Sequence, residues 1–133
     1  MNEKKDTVRK FWEGLDNGDL DTQLALLADD AVFTVTGSTG VSGVHRGVEG
    51  VKAHMEHFGS LIEPGPRMTV VELIEEGDAV VCLSEGVMRS RTGREYNNRY
   101  AFIFKFDGGK ISSITEYLDT ALVETALYDK EIR

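Results

Sequence analysis

Three side chains able to hold or move a proton, Glu85, Tyr100 and Glu116, are spaced along the chain so that a sheet could bring them into one row. In the stretch Glu95 to Asp119, EYNNRYAFIFKFDGGKISSITEYLD, Asn98, Tyr100, Phe102, Phe104 and Phe106 recur at every second position, while Arg99 and Lys105 point the other way. With Asp107, Gly108 and Gly109 as a hairpin loop, Phe102 lies opposite Ile114, Tyr100 opposite Glu116, and Asn98 opposite Leu118. A tight turn at Thr92 and Gly93 then sets Glu85 opposite Tyr100. The outer two backbones would stand roughly 10 Å apart, at about 4.8 Å per strand. Leu83, Val87 and Arg89 extend this face on the first strand, Asn98 and Phe102 on the second, and Ile114 and Leu118 on the third. The result is an apolar wall holding a few polar groups, the composition of a small-molecule pocket. A loop of Gly108 and Gly109 alone would shift the register by one residue and send Glu116 to the face of Arg99 and Lys105, as a solvated ion-pair partner.

Two carboxylates on such a wall have a coherent chemistry. Apolar surroundings raise a carboxyl pKa, and a second acid nearby raises one of the two further, so that one acts as base while the other stays protonated. Tyr100 or Glu85 would hold charge that develops as Glu116 moves a proton. Arg89 could instead neutralise Glu85 and make that pair structural. No residue pattern requires a metal or an organic cofactor. His45 with His54 and His57 is a loose constellation beside a His-Glu-x-x-His zinc motif, and these histidines read as the flanks of a helix. Cys82, alone in the run AVVCL, reads as a small buried hydrophobe.

The elements that must position these groups follow from periodicity. Val8, Phe11, Trp12 and Leu15 fall at helical spacing within Lys4 to Leu15, and Asn17 and Gly18 end that helix. Asp19 can cap a second short helix carrying Leu20, Leu24 and Leu27. A strand is expected from Ala31 to Thr36, then a loop from Gly37 to Gly47 that lacks the spacing of a phosphate-binding loop. Val48 to Ile62 reads as the longest helix, ended by the two prolines of EPGPR. Strands Met68 to Glu75 and Ala79 to Arg89 precede the long hairpin, and Asp119 or Thr120 can cap a last helix with Leu122, Val123 and Leu127. Helices wrapped on a curved antiparallel sheet make an α+β layout.

Composition bounds the function. At 133 residues, with 41% hydrophobic and 29% charged residues, the chain fits a single domain, residues 1–133, with a genuine core. Fifteen basic against 23 acidic residues give a formal charge of −8, which repels nucleic acid and anionic membranes. The N-terminus lacks the apolar segment of a secretory signal, and no apolar run has the length of a membrane span, so a cytoplasmic protein is expected.

The segments LLADDAVF, HRGVEGV, EEGDAVV and YAFIFKFDGGKISSITEYLDT together resemble the nuclear transport factor 2-like superfamily, and within it the SnoaL-like proteins around polyketide cyclases, ketosteroid isomerases and limonene epoxide hydrolases. The resemblance implies a cone-shaped α+β barrel with a deep pocket closed by helices, commonly a homodimer through the outer face of the sheet. It also implies which relatives' chemistry is missing here. The ketosteroid isomerase base and oxyanion positions correspond to Val35, Phe11 and Phe102. The two carboxylates of limonene epoxide hydrolases match Glu85 and Glu116, but their arginine is Leu83 and their water-holding positions are Phe33 and Val35, which become pocket wall. The polyketide cyclase aspartate matches Glu116, and its nearby histidine is Phe102.

Three readings stay open at this point. One is an enzyme in which Glu116 moves a proton on a small apolar substrate. The second is a binder of a hydrophobic ligand oriented by Asn98, Tyr100 and the carboxylates. The third is a dimeric scaffold whose cavity is filled by Phe11, Trp12, Phe33, Phe102 and Phe104.

Overall fold

The computed structural model describes residues 3–132. Helix α1 (Glu3–Asp16) and the short α2 (Leu20–Ala25) open the chain. Strand β1 (Leu27–Val35), strand β2 (Gly43–Arg46) and helix α3 (Gly47–Ser60) follow. Strands β3 (Arg67–Glu76), β4 (Ala79–Val87), β5 (Arg99–Asp107) and β6 (Lys110–Leu118) lead to α4 (Thr120–Leu122) and a π-helical turn, Val123–Leu127. The six strands form one open sheet in the order β2-β1-β6-β5-β4-β3, so the α+β layout of helices on a curved sheet holds. Among the described residues no helix is long and apolar enough to cross a membrane.

Local chemistry accounts for most of these boundaries. Val8, Phe11 and Trp12 put the buried face of α1 against the sheet, where Phe11 meets Phe104 edge-on at 5.7 Å between ring centroids. Asp19 caps α2 by accepting from the Thr22 backbone N–H at 3.1 Å, and Asp119 caps α4 through the Leu122 N–H at 3.2 Å. Two features were not expected. Part of the presumed loop, Gly43–Arg46, pairs with β1 as an edge strand. The sheet is also not wholly antiparallel, since β1 runs parallel to β6, with Val35 beside Glu116.

Both hairpin loops differ by one residue from the sequence-based count. At the β4-β5 end the Ser90 N–H donates to the Arg94 carbonyl at 2.8 Å, leaving a three-residue loop with Gly93 at φ 92°. Ser84, not Glu85, therefore stands opposite Tyr100. At the β5-β6 end Asp107 pairs with Lys110 around Gly108 and Gly109, both with positive φ, as a primed two-residue turn demands. Pairing passes from Phe106 with Ile111 to Lys105 with Ser113, so Ser112 is an extra residue, a β-bulge. Beyond it Phe104 faces Ile114, Phe102 faces Glu116 and Tyr100 faces Leu118. The two-residue turn alone would have sent Glu116 outward, and the bulge turns it back.

Candidate functional site

A cavity of about 240 Å³ opens between the inner face of the sheet and the three N-terminal helices. Its walls are Phe11, Trp12 and Leu15 from α1, His54, Met55 and Phe58 from α3, and Phe33, Val35, Tyr100, Phe102 and Glu116 from the sheet. The rings interlock. Trp12 lies 4.7 Å from Phe102, and Tyr100 stacks on Phe102 at 5.0 Å with 23° between planes. Tyr100 can lie across β4 because residue 86 is glycine: a Cβ there would come within 3.3 Å of the tyrosine ring. Of the residues that the scaffold reading has fill the cavity, Phe11, Trp12, Phe33 and Phe102 line a hollow instead of closing it, and Phe104 is buried in the core.

Glu116 is the acid of this cavity. Its carboxyl has no hydrogen bond or ion pair among the described residues, and burial among apolar neighbours pushes its pKa up to about 8. Its backbone is firmly held, because the Glu116 carbonyl accepts from the Thr36 N–H at 3.0 Å and from the Thr36 hydroxyl at 2.8 Å. Burial raises the Tyr100 hydroxyl well above its ordinary pKa, with smaller contributions from Tyr96 and Glu116, so it stays protonated and able to donate. The charged residues of the lining are Asp19, at the α1-α2 turn, and Glu116, with no lysine or arginine among them. Two hydrogen bonds from Thr22 hold Asp19 below the usual carboxylate range.

Several expected site residues lie elsewhere. Glu85 is on the outer face, exposed, 3.9 Å from Arg99, so no carboxylate pair spans Tyr100. The same one-residue shift carries Leu83, Val87 and Arg89 outward: Val87 is 54% exposed, and Arg89 pairs with Glu63 and donates to the Gly93 carbonyl. Asn98 is inward and fully buried, but its amide is consumed by the fold. It donates to the Tyr96 hydroxyl and the Asp119 carbonyl, both at 3.0 Å, and accepts from the Arg99 and Asp119 backbone N–H groups. Ile114 packs in the core between Phe33 and Phe104, and Leu118 lies beside Tyr100; neither belongs to the cavity lining. Tyr100, Phe102, Phe33, Val35 and Glu116 do line it.

The sequence reading took His54 for a helix flank and did not single out Gln23, and both line the cavity. His54, 7% exposed, is stacked on His45 at 4.1 Å and tilted on Phe33 at 5.1 Å. Burial first, then His45 and His57, lower its pKa to about 4. Its i+3 relation to Val51, the most buried residue of α3, was the available signal. No group of three or more potential metal ligands occurs among the described residues.

Comparison with known proteins agrees with this architecture. An uncharacterized protein of Mycobacterium tuberculosis is 27% identical over 121 residues, which are 90% of this chain and 92% of that protein. A nuclear transport factor 2-like protein of unknown function from Burkholderia pseudomallei superposes with a TM-score of 0.87 at 26% identity, over 96% of this chain and 98% of that one. TerC co-crystallised with polyporic acid superposes with a TM-score of 0.85 at 20% identity, over 95% and 98% of the two chains. The SnoaL-like domain family matches residues 8–114, and with helices on a curved sheet already traced, the chain belongs to that family.

Proposed function

We propose that the cavity binds a small, uncharged, largely apolar molecule and that Glu116 exchanges a proton with it. The observation that carries this reading is a solitary carboxyl, without a protein partner, held among aromatic walls with its pKa raised to about 8. A general base works best when its pKa lies near the operating pH. The cavity supplies that match by desolvation alone, and the protonated Tyr100 hydroxyl on the same cavity wall can donate to an oxygen of the bound molecule. Isomerisation or cyclisation through an enol suits this pair, since both need one proton removed beside a carbonyl and returned elsewhere. The absence of any cationic lining residue, together with the negative Asp19, disfavours anions. That TerC, a protein of the same fold, was co-crystallised with polyporic acid supports a small-molecule pocket in this scaffold.

A second reading, a ligand carrier without chemistry, gains from the outward position of Glu85, which leaves Glu116 no second carboxylate to share protons with. Deuterium exchange separates the two. Neutral cyclic ketones incubated with the protein in D₂O should exchange α-protons at a rate that vanishes in Glu116→Gln. Binding without protein-dependent exchange would leave only the carrier.

The outer face of the sheet is the proposed homodimer surface. Ile74, Val87 and Tyr117 stand there 47%, 54% and 49% exposed, apolar side chains that a second copy could cover.

A further inference from the structure

With Gln23, whose Nε2 is buried without a partner, His54 is a polar side chain on the cavity wall whose chemistry the fold does not use. It is more than nine-tenths buried, it lines the cavity, and its ring nitrogens have no hydrogen-bond partner among the described residues. Buried polar groups are rarely left so, and each one calls for an explanation. The ring is also held still, stacked on His45 with 17° between planes and braced by Phe33. It faces a different part of the hollow from Glu116. Phe33, which it touches, lies two residues before Val35, the parallel neighbour of Glu116, and that offset along a strand is roughly 7 Å. His54 projects from α3 and Glu116 from β6, so the two groups meet the hollow from different elements, with Phe102 and Tyr100 also on its wall.

We propose that His54 is a ligand-binding residue, its ring N–H donating to an oxygen acceptor on the end of the bound molecule remote from Glu116. This rests on the cavity being the small-molecule site proposed above. It names a substrate class: an uncharged, largely apolar molecule with a carbonyl oxygen at the end remote from the group that exchanges its proton with Glu116. A neutral imidazole carries one N–H and one acceptor nitrogen, so it serves a carbonyl without bringing a charge into the apolar wall. Burial keeps it in that neutral form at physiological pH.

The test uses two probes that differ only in the carbonyl, 4-hydroxyacetophenone and 4-ethylphenol. Trp12 is the chain's single tryptophan and lines the cavity, so quenching of its fluorescence reports occupancy. The full chain should prefer the ketone by roughly tenfold, the worth of one neutral hydrogen bond in a desolvated site. His54→Phe should bind both probes with equal affinity, His54→Gln, which keeps a donor, should recover part of the preference, and Glu116→Gln should retain it. Equal binding of the two probes by the unmodified protein, or an undiminished preference in His54→Phe, would overturn the assignment of His54 and leave the cavity reading standing. Binding of neither probe would overturn the cavity reading, and this inference with it.

Discussion

Ile111 and Ile114 are three residues apart on one strand, yet both are buried in the core, at 0% and 1% exposure. Side chains of a regular strand alternate, so residues three apart should face opposite ways. Ser112 resolves the contradiction as the unpaired residue of the bulge. Deleting Ser112 would force a choice between burying Ile111 and burying everything from Ile114 onward. The expected loss of stability is about 3 kcal/mol or more, seen as a fall in the urea unfolding midpoint, since a whole strand's apolar set is misdirected.

The buried acid should make the protein less stable as pH rises. Glu116 ionises near its ordinary 4.5 in the unfolded chain and near 8 in the folded one. Between these values the unfolded state binds fewer protons, so unfolding becomes easier with increasing pH, and the full penalty is present above about 8. Glu116→Gln should therefore match the parent at pH 4 and exceed it by about 2 to 4 kcal/mol at pH 8.5, allowing for water that enters the cavity. Urea titrations at the two pH values measure the difference, and equal curves at pH 8.5 would place the carboxyl in a wetter setting.

His54 acts in the opposite direction. Its folded pKa of about 4 lies below the ordinary 6.5, so the unfolded chain takes up the proton first as pH falls. Stability should drop from pH 6.5 towards 4 in the parent and drop less in His54→Phe, by about 1 kcal/mol or more at pH 4.5.

Glu85→Gln should be silent. An exposed ion pair at 3.9 Å contributes about 0 to 1 kcal/mol, and the residue is on the far side of the sheet from the cavity. Proton exchange on ketones should continue at the parental rate; a tenfold loss would mean that Glu85 reaches the site after all.

Gly14→Ala probes the junction of α1 and α2. The added Cβ would lie 2.7 Å from Gln23 Cγ and 3.2 Å from the Asp19 carbonyl, and Gln23 is 2% exposed. A cost of about 1 kcal/mol or more is expected, with weaker probe binding as Gln23 is pushed toward the cavity. Tyr117→Glu should, by contrast, leave the cavity alone and shift sedimentation from dimer to monomer by placing a charge in the proposed interface.

The sequence made the architecture legible because its periodicities are strong: the stripe Val8, Phe11, Trp12, Leu15 and the alternation from Tyr100 to Phe106 each admit one reading. The site was harder, because which face a side chain takes depends on the parity of a loop count. At Thr92 and Gly93 a third loop residue, Arg91, inverted β4 and took Glu85, Leu83, Val87 and Arg89 to the outer face. At Gly108 and Gly109 the loop was also miscounted, and Ser112 cancelled the error, so Glu116 faces inward opposite Phe102 instead of Tyr100. The run Ile-Ser-Ser-Ile carries the bulge in its spacing, since its two isoleucines can share a face only if one serine is extra. His54 and Gln23 gave no comparable sign, because helical periodicity places a residue on a face without saying whether that face meets core or hollow.

The parallel contact between β1 and β6 has a consequence for biosynthesis. Thr36 and Glu116, joined by two hydrogen bonds, are 80 residues apart, whereas β3, β4 and β5 pair with sequence neighbours. A nascent chain can therefore assemble β3, β4 and β5, one side of the sheet, early, but the β1 edge that carries Phe33 and Val35 must wait for the final strand to be translated. A ribosome stalled before residue 110 would hold a partly folded sheet with an aggregation-prone edge and no receptor at all, which makes this stage of synthesis the one most in need of a chaperone.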